Sequence, residues 1–176
     1  MKYAYLFLII SSLQIYCQNS EPINFDGVVN TDEWANFPSF DISYEIQPGN
    51  NTPSFYNTKA YVAYSKTHMY VGFDAEVPKD ELRSSIRNRD EAYQDDFVMI
   101  CVDTFGDGRY MICIGSNANG SQLDMKFIAD DGEPSFDLYF DNKAQIFDNG
   151  YNVEMKIPFS AFQFKNKSRL TWNTSF

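Results

Sequence analysis

Histidine is nearly absent from this 176-residue sequence: the sole one, His68, stands in a predicted hairpin loop with no nucleophilic serine or cysteine motif beside it. A Ser-His-Asp triad and a histidine-based metal centre therefore have no basis. Basic residues are also scarce, with 14 Lys and Arg against 24 Asp and Glu for a net charge of −10, the wrong sign for a phosphate-backbone binder. Nucleic acid is excluded as a partner on that ground. Internal repeats, low-complexity tracts and long linkers are lacking, so one core is expected. Long apolar runs are lacking except at the start, where Lys2 precedes an apolar stretch from Ala4 to Leu13 and polar Gln18-Asn19-Ser20-Glu21 follows. That stretch falls short of the roughly 20 apolar residues of a membrane-spanning helix. It reads as a secretory signal peptide over residues 1–17, with residues 18–176 forming one exported domain in the periplasm, outer membrane or extracellular space. Lipidation of Cys17 is the alternative, disfavoured by Tyr16 where that processing prefers a small residue.

Cysteine is scarce as well. Beyond Cys17 there are only Cys101 and Cys113, flanking one hairpin. With Asp103 opposite Arg109 across the turn, Cys101 faces Met111 and Cys113 faces Met99. The two sulfurs then share a face but lie diagonally, a poor geometry for a bridge. Two buried free thiols acting as small hydrophobes are expected.

What the chain does have is alternation. Lys59-Ala60-Tyr61-Val62-Ala63-Tyr64 and Met69-Tyr70-Val71-Gly72-Phe73 flank a short loop, Ser65 to His68. Tyr151, Val153, Met155 and Ile157 alternate with Asn152, Glu154 and Lys156, which predicts a strand buried on one face. Gln122 to Phe127 and Ser135 to Phe140 repeat the pattern. Helix signals are few: Thr31 can cap a turn through Trp34, and Pro78 to Ser84 can form another. The expected fold is all-β, a two-sheet antiparallel sandwich, with a closed barrel as the alternative shape. Its core should include Tyr61, Val71, Val98, Ile100, Val153, Met155 and Trp172. The final stretch, Arg169 to Phe176, reads as a strand that stops without a turn or polar tail, as in a piece of a longer protein.

Acidic oxygens crowd both ends of one apolar strand: Arg89-Asp90-Glu91-Ala92-Tyr93-Gln94-Asp95-Asp96 runs into Phe97 to Asp103, followed by Thr104-Phe105-Gly106-Asp107-Gly108. This block resembles a pattern of carbohydrate-binding module family 9. Other landmarks of that family occur in order: Asp26-Gly27 with Glu33-Trp34, Val62-Ala63-Tyr64 with Met69-Tyr70-Val71, Asn117 to Gly120 with Asp124, Gly150-Tyr151 with Glu154 and Ile157-Pro158-Phe159, and Trp172-Asn173. A variant it resembles is the domain placed before an uncharacterised outer-membrane β-barrel in Gram-negative bacteria.

The resemblance implies sugar binding and structural calcium, with a polysaccharide or oligosaccharide as partner, an outer-membrane barrel following in the same chain and a monomeric state. In the family the sugar is sandwiched by tryptophans, whereas Trp34 and Trp172 both fall in motifs that look structural. Tyr93, Tyr56, Tyr139 and Phe55 are the substitute rings, with Arg89 as a polar partner. Calcium needs six to eight oxygens, for which Asp90, Asp95, Asp96 and Asp103, with Glu91, are the main candidates and Asp26, Asp32 and Glu33 a second set. No catalytic residue is expected: a glycosidase needs two carboxylates across one cleft about 5 to 10 Å apart, and adjacent Asp95 and Asp96 should point to opposite faces. The expected function is a non-catalytic, exported glycan-binding module. The alternative is a structural or interaction domain preceding an outer-membrane barrel.

Overall fold

The computed structural model describes residues 21–45, 51–129, 131–133, 135–167 and 169–176. The leader read at residues 1–17, Cys17 included, lies outside them. Among the described residues the alternating segments become ten strands: β1 Ser39–Glu45, β2 Thr52–Tyr64, β3 His68–Glu76, β4 Phe97–Asp103, β5 Tyr110–Asn117, β6 Gln122–Ile128, β7 Asp131–Glu133, β8 Asp141–Phe147, β9 Gly150–Pro158 and β10 Asn173–Ser175. They pair antiparallel throughout, in two five-stranded sheets ordered β1-β2-β3-β9-β8 and β10-β4-β5-β6-β7. Between the sheets lies the main core. Val71 and Phe73 of β3 and Val153 and Met155 of β9 meet Val98, Ile100 and Val102 of β4 and Ile112 and Ile114 of β5. Of the core residues expected from the sequence, only Trp172 differs: it is half-buried, packed on Phe159, Phe162 and Phe164 just before β10.

The first sheet is covered on its outer face too. Residues 21–37 fold over it and place Ile23, Val29 and Trp34 against Tyr61 and Ala63 of β2 and Tyr70 of β3. This corrects the expectation that β9 buries one face only. Asn152 and Glu154 are as buried as their apolar neighbours, and both are satisfied there. Glu154 accepts the backbone N–H groups of Asp26 (2.9 Å) and Gly27 (2.8 Å) and the Trp34 indole N–H (3.3 Å). Asn152 accepts the Val29 N–H at 3.0 Å and donates to Asp74 at 2.8 Å. Alternation of polarity does not show that a polar face has a lid when the lid brings its own donors. The lid also explains Gly72: a Cβ there would stand 2.9 Å from the Trp34 ring.

Smaller departures have local causes. The single-turn helix α1, Thr31–Trp34, is capped by Asn30, whose side chain accepts from the Asp32 N–H, and not by Thr31. Pro78 to Ser84 makes a turn closed on the Pro78 carbonyl by Glu81 and Leu82 and goes no further into helix. From Ser135 to Phe140 the alternation persists as burial of Leu138 and Phe140 without ladder pairing, and β8 begins at Asp141.

The largest correction is the register of the β4–β5 hairpin. Val102 pairs with Ile112 and Cys101 with Cys113, two residues away from the expected alignment. Asp103 is responsible: one carboxylate oxygen accepts the N–H groups of Phe105 (3.0 Å) and Gly106 (2.7 Å), and the other accepts that of Gly108 (2.9 Å). A wider loop results, in which Gly106 and Gly108 take φ of +66° and +70°, values that glycine adopts without steric cost. The two cysteines therefore face each other directly, with Cα atoms 4.0 Å apart, and form a disulfide in place of the expected free thiols.

Candidate functional site

The acidic block is fixed by protein donors. Asp95 accepts from the Arg87 guanidinium (2.8 Å), the Ser85 N–H (3.0 Å) and the Asn117 amide (2.9 Å). Arg87, with the other donors, holds its carboxyl far below the usual carboxylate range. Asp96 accepts the Arg83 N–H at 2.8 Å and lies 3.6 Å from its guanidinium. Asp90, at φ +64°, accepts the Asp124 N–H at 2.9 Å. Asp103 serves its loop and the Asn173 amide at 3.2 Å; burial opposes its charge, yet the N–H groups of Gly108 and Gly106 and the Asn173 amide outweigh burial and lower its carboxyl.

These four side chains are tied to different neighbours. In the second acidic set, Asp26 accepts from Val28 and Asn24, and Glu33 from Asn24. Among the described residues no group of three or more His, Cys, Asp or Glu side chains is placed to hold a metal ion. The arrangement does not fit calcium, which requires several oxygens converging on one point. A chelator should therefore leave the melting temperature unchanged; a fall on chelation, reversed by calcium, would show a site that forms only around the ion.

Asp95 makes a pH prediction. Its folded-state pKa lies below the unfolded value of about 3.9, so its contribution is present at neutral pH and is lost as pH falls through the acid range. Asp95→Asn should melt below the parent at pH 7, and the two melting temperatures should converge at acid pH. A gap that stays constant with pH would mean that the carboxylate charge is not what stabilises.

Arg89 also turns inward. Its guanidinium contacts Asp124 and Gln122, donates to the Leu138 carbonyl at 2.6 Å, lies 3.1 Å from Asp137 and stacks 5.5 Å from the Phe140 ring centroid. Burial pushes the Asp124 carboxyl up, and Arg89 offsets part of that. Arg89 thus ties β6 to residues 137–140.

Tyr93 and Tyr139 are exposed, at 62% and 72%, in separate segments, and Phe55 stands out from β2 beside Tyr56. Tyr56 is half-buried in a cleft. This cleft, of about 320 Å³, opens where β2, β3 and β9 meet the segment after β3, and is walled by Tyr56, Glu76, Glu81, Arg83, Asp96 and Tyr151. The Tyr56 hydroxyl donates to Glu81 at 2.6 Å, and this hydrogen bond, with burial and nearby acidic charge, raises the phenol to about 12. Past Thr58 and Tyr151 the cleft meets an apolar pocket of about 390 Å³ that includes Ile42, Phe73, Phe97, Met99 and Phe176. The pairing of the Tyr56 ring with carboxylates and a guanidinium suits a polyhydroxylated ligand, which needs an apolar face to lie on and charged partners for its hydroxyls, while the Tyr151 ring belongs to the core.

Two residues singled out from the sequence, Tyr56 and Asp96, are brought together here, while Tyr93, Tyr139 and Arg89 do not line the cleft. Glu76, Glu81, Arg83 and Tyr151, which line the same cleft, do not stand out in the sequence. Glu81 and Arg83 fall in the stretch read as a helical turn, and Tyr151 carries the parity of a core residue.

Two five-stranded antiparallel sheets packed face to face, with a tryptophan-bearing lid over one of them, define a two-layer β-sandwich. The sequence matches the family described as "Carbohydrate family 9 binding domain-like" over residues 25–173, and the chain belongs to that family. A family 9 carbohydrate-binding module from Caldicellulosiruptor kristjanssonii in complex with glucose is similar in structure, with a TM-score of 0.60 and 20% identity over 88% of this chain and 73% of that one. Its complex with cellotriose gives 0.59 and 21% identity over 88% and 71%. A protein from Bacteroides uniformis shares the fold at a TM-score of 0.60 with 12% identity, over 80% of this chain and 72% of that one. A comparison with curated proteins found no match.

Proposed function

We propose that this protein is an exported, non-catalytic glycan-binding module that holds a sugar in the cleft between Tyr56 and Arg83. The observation that carries the proposal is family membership over residues 25–173, joined to a cleft that sets the Tyr56 ring beside hydrogen-bonding side chains. Relatives of the same fold are described in complex with glucose and with cellotriose, which makes β-linked glucose polymers the first ligands to try. Export is supported by the apolar leader at residues 1–17 and by the Cys101–Cys113 disulfide, since disulfides persist mainly in oxidising compartments. In the bound state the pyranose face lies on Tyr56, and Glu76, Glu81, Arg83 and Asp96 meet its hydroxyls.

Titration calorimetry with glucose and cello-oligosaccharides tests this, comparing the parent with Tyr56→Ala, Arg83→Ala and Tyr93→Ala. Loss of heat in the first two, with melting temperatures held, is the expected result. Loss in Tyr93→Ala alone would move the site to the exposed turn at residues 92–94, and no heat with any glycan of a broad panel would end the sugar proposal.

The outer face of the second sheet favours a second function. By register, Phe97, Met99, Cys101, Met111, Met125 and Phe127 point to that side and keep part of their surface exposed, while Cys113 and Leu123 beside them are buried; the exposed remainder is an apolar surface suited to a protein partner. An interaction domain adjoining an outer-membrane barrel would use this face. It predicts association that survives Tyr56→Ala and is lost in Phe97→Asp.

A further inference from the structure

The inner face of the first sheet passes abruptly from polar to apolar surroundings. Glu76, Glu81, Arg83 and Asp96 line the Tyr56 cleft, whereas no charged side chain lines the adjoining pocket of about 390 Å³. Register joins the two hollows. Ile42 of β1 pairs with Thr58 of β2, Thr58 with Ala75 of β3, and Ala75 with Tyr151 of β9, so these four residues form one row on one face. Tyr56, two residues before Thr58, shares that face. Thr58 and Tyr151 line both hollows. The pocket is open at the side because β10 pairs with β4 only at Cys101 to Asp103. Phe176 closes its far end, with its ring centroid 5.0 Å from that of Phe40 and 6.0 Å from that of Phe73. Tyr151 stands at the boundary. The residue is only 4% exposed, and its hydroxyl makes no hydrogen bond among the described residues; burial and the Asp96 charge push the phenol up. A buried hydroxyl without a partner is costly, and this one lies where the polar and apolar hollows meet.

We infer that cleft and pocket form one site for an amphiphilic glycoside, with the sugar on Tyr56 and a hydrocarbon chain, attached at the anomeric oxygen, in the pocket. The inference rests on the glycan-binding function proposed above and names what the sugar carries. The Tyr151 hydroxyl donates to the oxygen that joins sugar to chain, the one polar atom such a ligand places at the boundary. Beyond it the chain meets Ile42, Phe73, Val98 and Phe176, and its burial is favoured in proportion to the apolar area removed from water. A further sugar in the same direction would fare worse. Its hydroxyls would leave water for a wall where, Tyr151 apart, only the Thr58 and Ser175 side chains carry a hydroxyl to answer them. The pocket therefore selects hydrocarbon over a continuing glycan.

A series of alkyl glucosides tests the inference. The parent is titrated with methyl, butyl, hexyl and octyl β-glucoside, each kept below its micelle-forming concentration. Affinity should rise about two- to fourfold for each added carbon, the upper figure being full burial of a CH₂ group, and level off once the pocket is filled. Ile42→Gln and Phe176→Gln change half-buried walls of the pocket; melting curves confirm that both variants fold. In each, the methyl glucoside should bind as in the parent while the gain per carbon falls toward one. Tyr151→Phe should weaken all four ligands by a similar factor and keep the parent's melting temperature, since its hydroxyl holds nothing in the free protein. A parent that binds octyl and methyl glucoside equally, or wall variants that keep the parent's gain per carbon, would overturn the inference and leave the sugar cleft intact. Octyl glucoside binding that survives Tyr56→Ala would overturn it too, by seating the chain away from the cleft. No binding by any glucoside or glycan would remove the proposed function and the inference with it.

Discussion

Glu154→Ala should destabilise the protein by about 3 to 5 kcal/mol, because it leaves buried donors without their acceptor. Three are affected: the backbone N–H groups of Asp26 and Gly27 and the Trp34 indole N–H, all of which converge on one fully buried carboxylate. At roughly 2 to 4 °C per kcal/mol for a domain of this size, the melting temperature should fall by on the order of 10 °C. Trp34 supplies the readout, since its indole is buried in the parent and should shift its emission toward that of a wetter ring as the lid loosens. Burial pushes the Glu154 carboxyl up. Its own pH contribution therefore has the opposite sign to that of Asp95: it favours folding most at low pH and weakens as pH rises through the raised pKa. A variant that keeps the parent's melting temperature within a degree or two would mean that water replaces the carboxylate beneath the lid.

The second large effect concerns Cys101–Cys113, which joins residues 12 apart in sequence. In the chain-entropy model a loop of about this size is worth about 3 kcal/mol, or roughly 6 to 12 °C in melting temperature. Adding a thiol reductant should lower the melting temperature by that amount, and a Cys101→Ser, Cys113→Ser double variant should melt low with or without reductant. If the reduced parent melts where the oxidised parent does, the register set by the Asp103 loop already constrains the hairpin as tightly as the covalent bond.

Much of the fold was legible because a sheet repeats every second residue. Val71, Ile100, Val153 and Met155 were placed in the core by parity alone, and all are fully buried. Register was harder, since it depends on loop geometry: the Asp103 carboxylate bonds to Phe105, Gly106 and Gly108 widen the turn and bring Cys101 opposite Cys113. Burial of Glu154 was hidden for a related reason, as its partners lie 120 to 128 positions away in sequence. The proposed site was legible only in fragments. Tyr56 and Asp96 stood out by residue type, but Arg83 and Glu81 join them through a turn that has no periodic signal, and Arg89 looked available until Asp124 and Leu138 were seen to hold it.

Because the lid is made from the first described residues and is fastened to β9, one of the last strands, the domain cannot close until nearly all of it has been delivered. Asp26 and Gly27 reach Glu154 across separations of 128 and 127 residues, contacts that the chain must order itself to make and that slow folding. In a polypeptide delivered amino end first, as in synthesis, Trp34 emerges early and waits for β9. It should therefore report one of the last events of refolding, with indole burial trailing formation of the β2–β3 and β4–β5 hairpins. Until that moment, Tyr61 and Tyr70 lack the ring that covers them, and the half-made module exposes its stickiest surface on the side where its own beginning must finally dock.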